Sequence, residues 1–293
     1  MNKLFLITLF LACIGCASDF NSTEFKIPND RSLITNPSVS ILSAGDTTLL
    51  PDSIQIGLIL MGQSNMVGRN VGQFPPAYLT NPMSGVYIRD KYLNWSTLDY
   101  PINNNGNNFG PELSLCYHLS DTLQRDLYVV KPAFDGAGLY VDNLGNDYNI
   151  TTNELYPKLR DASLALKNKI LSLGKTPLLI MVVVQGERDT KNATVAAQWN
   201  TNFTNIVNQL AIDSVIVDYI VLNTLSTNQN LNVTNRTTVI NQQTSYATSN
   251  ANTFLIDMTP YPLNTDVIHF SGLGQVQIGK DICDIIYDNI IDP

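Results

Sequence analysis

The sequence predicts an α/β fold in which one parallel sheet is covered by helices on both faces. Three observations predict it. Several short segments beyond residue 53 are almost continuously apolar, as strands buried on both faces are. Amphipathic stretches of helical period separate them, and strands that alternate with helices in this way pair in parallel. A chain of 293 residues, 44% of them hydrophobic, can enclose one sizeable core.

Taken in order, the first candidate strand is Ile54 to Met61, which ends at Gly62. The amphipathic stretch Pro111 to Leu123 leads to the second strand, Leu127 to Ala133. Leu155 to Leu173 leads to the third, Leu178 to Val184. Thr194 to Leu210 leads to Val215 to Leu222, and Thr237 to Ser249 leads to Thr253 to Ile256. Gly274 to Ile290 closes the domain as a final helix. The expected sheet therefore has about five strands within residues 53–293, and no internal repeat is visible. The intervals Gln73 to Asn108 and Asp142 to Asn153 are rich in Asn and Tyr and carry no periodic signal.

The N-terminal part is of another kind. Lys3 precedes an apolar run from Leu4 to Ile14, too short for the roughly 20 residues of a membrane span and suited to the apolar core of a secretory signal. Residues 1–16 are thus expected to direct export. The run ends in Ala12-Cys13-Ile14-Gly15-Cys16, which resembles a lipoprotein signal with Cys16, or else Cys13, as the lipidated residue. An ordinary cleavage near Ala17 is the alternative. Residues 17–52 are polar, with turn signals at Pro28-Asn29-Asp30 and Asn36-Pro37, and read as a tether.

Composition excludes several functions. The chain has 17 Lys and Arg against 25 Asp and Glu, a formal charge of −8, and no basic cluster, so nucleic acid is not an expected partner. His118 and His269 are the whole complement of histidine. A site built from several histidines around a metal is therefore not expected, and any histidine acid–base chemistry must use one of these two.

In open parallel sheets ligands bind beyond the carboxyl ends of the strands. After the first strand comes Gly62-Gln63-Ser64-Asn65-Met66-Val67-Gly68. Ser64 stands at the turn, either as a nucleophile or as a cap for the next helix. Met66 occupies the last glycine position of a G-x-S-x-G elbow, so that motif is not met. Asp266-Val267-Ile268-His269 lies before the final helix, where a spacing of three lets a carboxylate orient an imidazole. A turn aspartate and a satisfied core histidine would look the same. His118 falls within a predicted helix and is the weaker candidate base. The third strand ends in Gln185-Gly186-Glu187-Arg188-Asp189, which supplies either an amide donor for a developing oxyanion or a surface charge cluster. The second ends in Phe134-Asp135-Gly136-Ala137-Gly138, where glycines allow backbone N–H groups close to a ligand.

Four stretches together, GQSNMVG, NNFGPELSL, QGERD and DVIHFSGLGQVQIG, resemble the sialate O-acetylesterase domain family. That family is related to acetylxylan esterases and belongs to the SGNH hydrolases. The resemblance runs from about Ile56 to Ile286 in unbroken order. It implies a flavodoxin-like three-layer α/β/α sandwich and hydrolysis of O-acetyl esters on carbohydrates, without metal or other cofactor. Carried over by position, Ser64 is the nucleophile, His269 the base and Asp266 its orienting acid. Gln185, Gly136 and the Ser64 N–H form the oxyanion hole, with Asn65, Glu187 and Asp135 in support. The chain departs from the pattern at Asp135, where the family has glycine, at Val184, where tryptophan is usual, at Arg188, where serine is usual, and in lacking a tryptophan after Gly138. These changes bear on which sugar is accepted. The alternative expectations are a glycan-binding protein on the same fold and an esterase for other acyl groups. Cys116 and Cys283 fall in the first and last long helices, where buried free thiols are expected and a disulfide remains open.

Overall fold

A computed structural model describes residues 50–293 except 70, 73, 102–107, 142–144 and 227–230. The expected signal segment, with Cys16, and nearly all of the expected tether lie outside the described residues.

The chain forms seven strands and seven helices over those residues, in the order β1 (Ile54–Gly62), α1 (Ser64–Val67), β2 (Met83–Arg89), β3 (Trp95–Leu98), α2 (Glu112–Leu123), β4 (Leu127–Val130), α3 (Tyr156–Ser172), β5 (Thr176–Val184), α4 (Ala193–Ala197), α5 (Trp199–Ile212), β6 (Tyr219–Asn223), α6 (Val233–Ser249), β7 (Thr253–Ile256) and α7 (Gly272–Ile286). One sheet contains all seven strands in the order β3-β2-β4-β1-β5-β6-β7. All neighbours are parallel except the edge pair β2–β3.

The five expected strands give the partial order β4-β1-β5-β6-β7, the second-first-third-fourth-fifth arrangement of flavodoxin-like sheets. The expected count of five is corrected to seven, because the unreadable interval before α2 supplies β2 and β3. The expected helix from Thr194 to Leu210 is two helices, broken at Gln198. The last helix passes into a single π turn at Tyr287–Ile291.

Two apolar layers flank the sheet because successive side chains on a strand point to opposite faces. Ile54, Ile56, Leu58 and Leu60 of β1 belong to one apolar cluster with residues of α2 and α7. Ile59 and Met61 point the other way, into the layer that holds residues of α3, α5 and α6. Cys116 and Cys283 are free and buried. Burial pushes both thiols up, Cys283 to about 12, so neither is a reactive thiolate near neutral pH.

Candidate active site

β1 is the middle strand of the sheet and delivers Ser64 two residues beyond its last residue. Gln63 extends the strand by donating its N–H to the Val184 carbonyl at 3.1 Å. Its side-chain oxygen accepts from the Gly186 and Arg188 N–H groups at 3.3 and 3.2 Å. Ser64 then opens the four-residue α1, whose carbonyl at Ser64 accepts from Gly68 and Arg69. Gly68 closes this turn with φ of 87°, and a Cβ on it would stand 2.0 Å from the Phe109 carbonyl carbon. Only glycine fits there. The motif glycine at 68 and the motif stretch that contains Phe109 are thus two sides of one backbone contact.

Below α1 lies an ion pair that the sequence reading did not anticipate. Lys131 Nζ stands 2.7 Å from Glu112 Oε1 and donates to the Val67 carbonyl at 3.2 Å. The same Glu112 oxygen accepts from the Gly110 N–H at 2.9 Å. The Glu112 side chain is fully enclosed. The end of β4 and the start of α2 are therefore both tied to the Ser64 turn. Glu112 belongs to the recognised NNFGPELSL stretch, but nothing in the sequence marks Lys131 as its partner.

The loop between β7 and α7 brings the other two groups. Asp266 Oδ1 accepts from the Ile268 and His269 N–H groups, both at 2.9 Å. Its Oδ2 lies 2.8 Å from His269 Nδ1, and His269 Nε2 lies 2.9 Å from Ser64 Oγ. Carboxylate, imidazole and hydroxyl thus form one hydrogen-bonded series across 205 residues of chain. The tight return is made at Val267, a β-branched residue with φ of 51°. Ser271 then caps α7 by accepting from the Gly274 N–H.

Asn65 fastens this loop to the Ser64 turn. Its Oδ1 accepts from the Phe270 N–H at 3.1 Å, and its Nδ2 reaches the Ile268 carbonyl at 3.3 Å, so it holds the chain on both sides of His269. Nδ2 also donates to Glu187 Oε1 at 2.5 Å. Gln275 Nε2 donates to the Asn65 carbonyl at 2.9 Å, adding a bond from α7 itself. Glu187 is buried, its Oε2 has no hydrogen-bond partner among the described residues, and desolvation raises its pKa.

Gln185 is placed differently from expectation. Its Oε1 accepts from the Trp199 indole N–H at 2.8 Å, which fixes the orientation of the amide. Its Nε2 donates to the Ala137 carbonyl at 3.2 Å and to Asp189 Oδ2. Both amide hydrogens are therefore engaged inside the protein, and the side chain is completely buried. The expected donation from Gln185 to an oxyanion is corrected: the amide braces the loop after β4 against the loop after β5. Glu187 and Asp189 are likewise not a surface cluster. Asp189 is fully buried, accepts from the Leu139 N–H at 3.1 Å, and burial pushes its pKa up to about 7.

The loop after β4 runs beside Ser64 because Phe134 donates its N–H to the Gly62 carbonyl at 3.0 Å. The Tyr148 hydroxyl sits 2.8 Å from the Gly62 carbonyl and 2.6 Å from that of Pro132, joining the two strand ends. Gly136 has φ of 64°, and its N–H has no acceptor among the described residues. Asp135 Oδ2 accepts from Arg69 Nε at 2.6 Å and its carbonyl accepts from Asn146. The Ser64 N–H, first in its helix, has no intrahelical acceptor either. His118 stands elsewhere, on α2 with its ring edge-on to Tyr117. Among the described residues no group of three His, Cys, Asp or Glu is placed to hold a metal ion.

Comparison with known proteins agrees with this architecture. The family model described as "SASA: Carbohydrate esterase, sialic acid-specific acetylesterase" matches residues 55–288. No curated protein matches the chain. Among solved structures, a protein from Arabidopsis thaliana is similar with a TM-score of 0.68 at 18% identity, over 80% of this chain and 98% of that one. NanS is similar with a TM-score of 0.58 at 16% identity, over 83% and 98%. A carbohydrate acetylesterase from Xanthomonas citri, XAC1771, gives a TM-score of 0.55 at 12% identity, over 80% of this chain and 56% of that one. At such identities the likeness is one of fold.

Proposed function

The chain belongs to the carbohydrate esterase family of sialic acid-specific acetylesterases, and from that premise we propose that it removes O-acetyl groups from carbohydrates by a Ser64–His269–Asp266 mechanism. The observation that carries the reading is the contact of His269 Nε2 with Ser64 Oγ at 2.9 Å while Nδ1 faces Asp266 at 2.8 Å. That geometry gives the hydroxyl a base and gives the base its tautomer.

In this mechanism Ser64 Oγ attacks the acetyl carbonyl carbon as its proton passes to His269 Nε2. The C=O π pair moves onto oxygen, and the resulting oxyanion is held by the N–H groups of Ser64 and Gly136. Preorganised donors of this kind account for about 10² to 10³ in rate each. Collapse of the intermediate breaks the bond to the sugar oxygen, which takes the proton from His269 and leaves. Water, deprotonated by His269, then attacks the acyl-enzyme and releases acetate and free Ser64. Gln185 has no part as a donor. Asp266 keeps its charge throughout and stabilises the imidazolium. Because the base must be unprotonated, activity should fall in acid as His269 takes up a proton.

Residues 1–16 fit the same picture as an export signal, with Cys16 as the lipid attachment point, which would set the enzyme among extracellular or envelope glycans. The test is acetate release from O-acetylated sialic acid and from acetylated xylan by the purified protein and by Ser64→Ala, with fluorophosphonate labelling of both. The expected result is release and labelling that vanish together in a folded Ser64→Ala. Release retained in the variant would remove Ser64 from its role. Neither release nor labelling in the parent would leave a glycan-binding protein as the reading.

A further inference from the structure

We propose that Arg69, Asp135 and Asn146 are positioning residues for the oxyanion site: together they fix the peptide between Asp135 and Gly136, so that its N–H stays available to the forming oxyanion. The inference rests on the esterase reading above and adds to it the groups that keep one of its two donors in place.

That N–H lies in the middle of a tight turn. The Ala137 N–H donates to the Phe134 carbonyl at 3.2 Å, which closes a four-residue turn with Asp135 and Gly136 at its centre. Of these two only Gly136 has a positive φ, 64°, so the turn is of type II. Type I and type II turns differ mainly in which way the central peptide faces. The central peptide supplies neither end of the bond that closes the turn, so that bond does not hold it. A trans peptide is planar, with its carbonyl and N–H on opposite edges. Turned over, it would present the Asp135 carbonyl in place of the Gly136 N–H, and an oxygen there would oppose a developing oxyanion.

Two bonds from outside the turn act against such a flip. Asn146 Nδ2 donates to the Asp135 carbonyl and so holds the opposite edge of the same peptide. Asn146 is itself held, since its carbonyl accepts from the Gly138 N–H at 3.2 Å and the Gly138 carbonyl accepts from the Tyr148 N–H at 2.9 Å. From the other side, Asp135 Oδ2 accepts from Arg69 Nε at 2.6 Å and lies 2.5 Å from Nη2. The Arg69 N–H donates to the Ser64 carbonyl at 3.0 Å. The two donors assigned to the oxyanion are thus joined by one short path, from Ser64 through Arg69 and Asp135 to the Gly136 N–H. Asp135 stands where the family pattern has glycine, and glycine has no side chain for Arg69 to hold. The side chains of the pair are 46% and 42% exposed, and an ion pair in such a setting adds little to stability. Breaking it should therefore be felt in turnover rather than in melting.

Steady-state kinetics with p-nitrophenyl acetate, and inhibition by benzeneboronic acid, read this out. The boronate adduct with serine is tetrahedral and sets an oxygen where the oxyanion forms. Arg69→Ala, Asp135→Ala and Asn146→Asp are each expected to lower kcat and kcat/KM together by about tenfold, with KM and Tm close to the parent's. Boronate inhibition should weaken by a similar factor. Asp135→Asn keeps an oxygen for Arg69 and should retain more activity than Asp135→Ala. Combining Arg69→Ala with Asp135→Ala should cost no more than either alone, because both act through one bond. The fall of activity in acid, set by His269, should stand at the same pH in every variant. A kcat within about twofold of the parent's in Arg69→Ala or in Asn146→Asp, a loss borne by KM alone, or an acid limb that moves overturns the inference. A parent that neither hydrolyses p-nitrophenyl acetate nor takes a fluorophosphonate label would instead strike at the esterase reading.

Discussion

Asp189 shows how a single buried carboxyl couples this site to pH. Its pKa is pushed up to about 7 by burial, against about 3.9 for an unperturbed aspartate in an unfolded chain. Between those values the folded protein holds a proton that the unfolded chain has released. The stability Asp189 contributes is therefore complete below about pH 4 and is lost as pH rises through about 7. Glu187 is shifted in the same direction, also by burial, and adds with the same sign. In Asp189→Asn the titrating group is gone while an acceptor for the Leu139 N–H remains. The fall in Tm of the parent between pH 5 and pH 8 should then be smaller in the variant, as calorimetry across that range will show. An equal fall in both proteins would place the titration elsewhere. At this scale the sequence was only partly legible. That Asp266 and His269 lie together could be read, because a spacing of three puts them in one turn. The engagement of Gln185 could not be read, since it depends on Trp199, 14 residues away at the start of α5, and on an aspartate that resembles loop polarity.

Among the elements, α1 is the least able to stand alone, for four residues cannot offset the cost of nucleating a helix. Its position comes from the backbone contact at Gly68 and from the Lys131–Glu112 pair. Removing one partner of a buried pair leaves an uncompensated charge, which typically costs about 3 to 5 kcal/mol. Glu112→Ala should accordingly lower Tm by roughly 10 °C in a chain of this size, and Glu112→Leu with Lys131→Met should recover part of the loss. A Tm within a degree or two of the parent for Glu112→Ala would show that the pair does not anchor the turn. The loop that carries His269 stores strain at Val267, where a left-handed backbone is unfavourable for a β-branched side chain by about 1 to 3 kcal/mol. Asn tolerates that conformation, so Val267→Asn should raise stability by about 1 kcal/mol in urea unfolding. A decrease would mean that the Val267 side chain contributes more through packing than its backbone costs. The elements themselves were legible in proportion to burial. β1 and β5 are apolar along nearly their whole length, whereas β2 buries only Met83, Val86 and Ile88, contains Gly85 at φ of 78°, and reads as loop. The break at Gln198 between α4 and α5 interrupts no apolar period, so the sequence shows one helix there.

For the whole molecule, the strand order determines what Ser64, His269 and Asp266 have in common. Ser64 follows the middle strand, with three strands on either side of it. Its flanking loops come from the immediate neighbours β4 and β5, which is why the glycines after one and the buried carboxylates after the other surround it. His269 and Asp266 come from beyond β7, the edge of the sheet. The parallel order was implied by the alternation of strands and helices, while the two added strands on the far side extend the sheet without entering this arrangement. The position of β1 against that of the β7–α7 loop also sets the order in which the site comes apart. Edge segments open through small fluctuations, and central strands exchange their amide hydrogens only when the domain unfolds. Deuterium uptake should thus be fast in residues 257–268 and slowest in 54–62. The contact of His269 with Ser64 would then be lost from an intact sheet, and under the mechanism proposed above warming should abolish turnover below the temperature at which the fold itself melts.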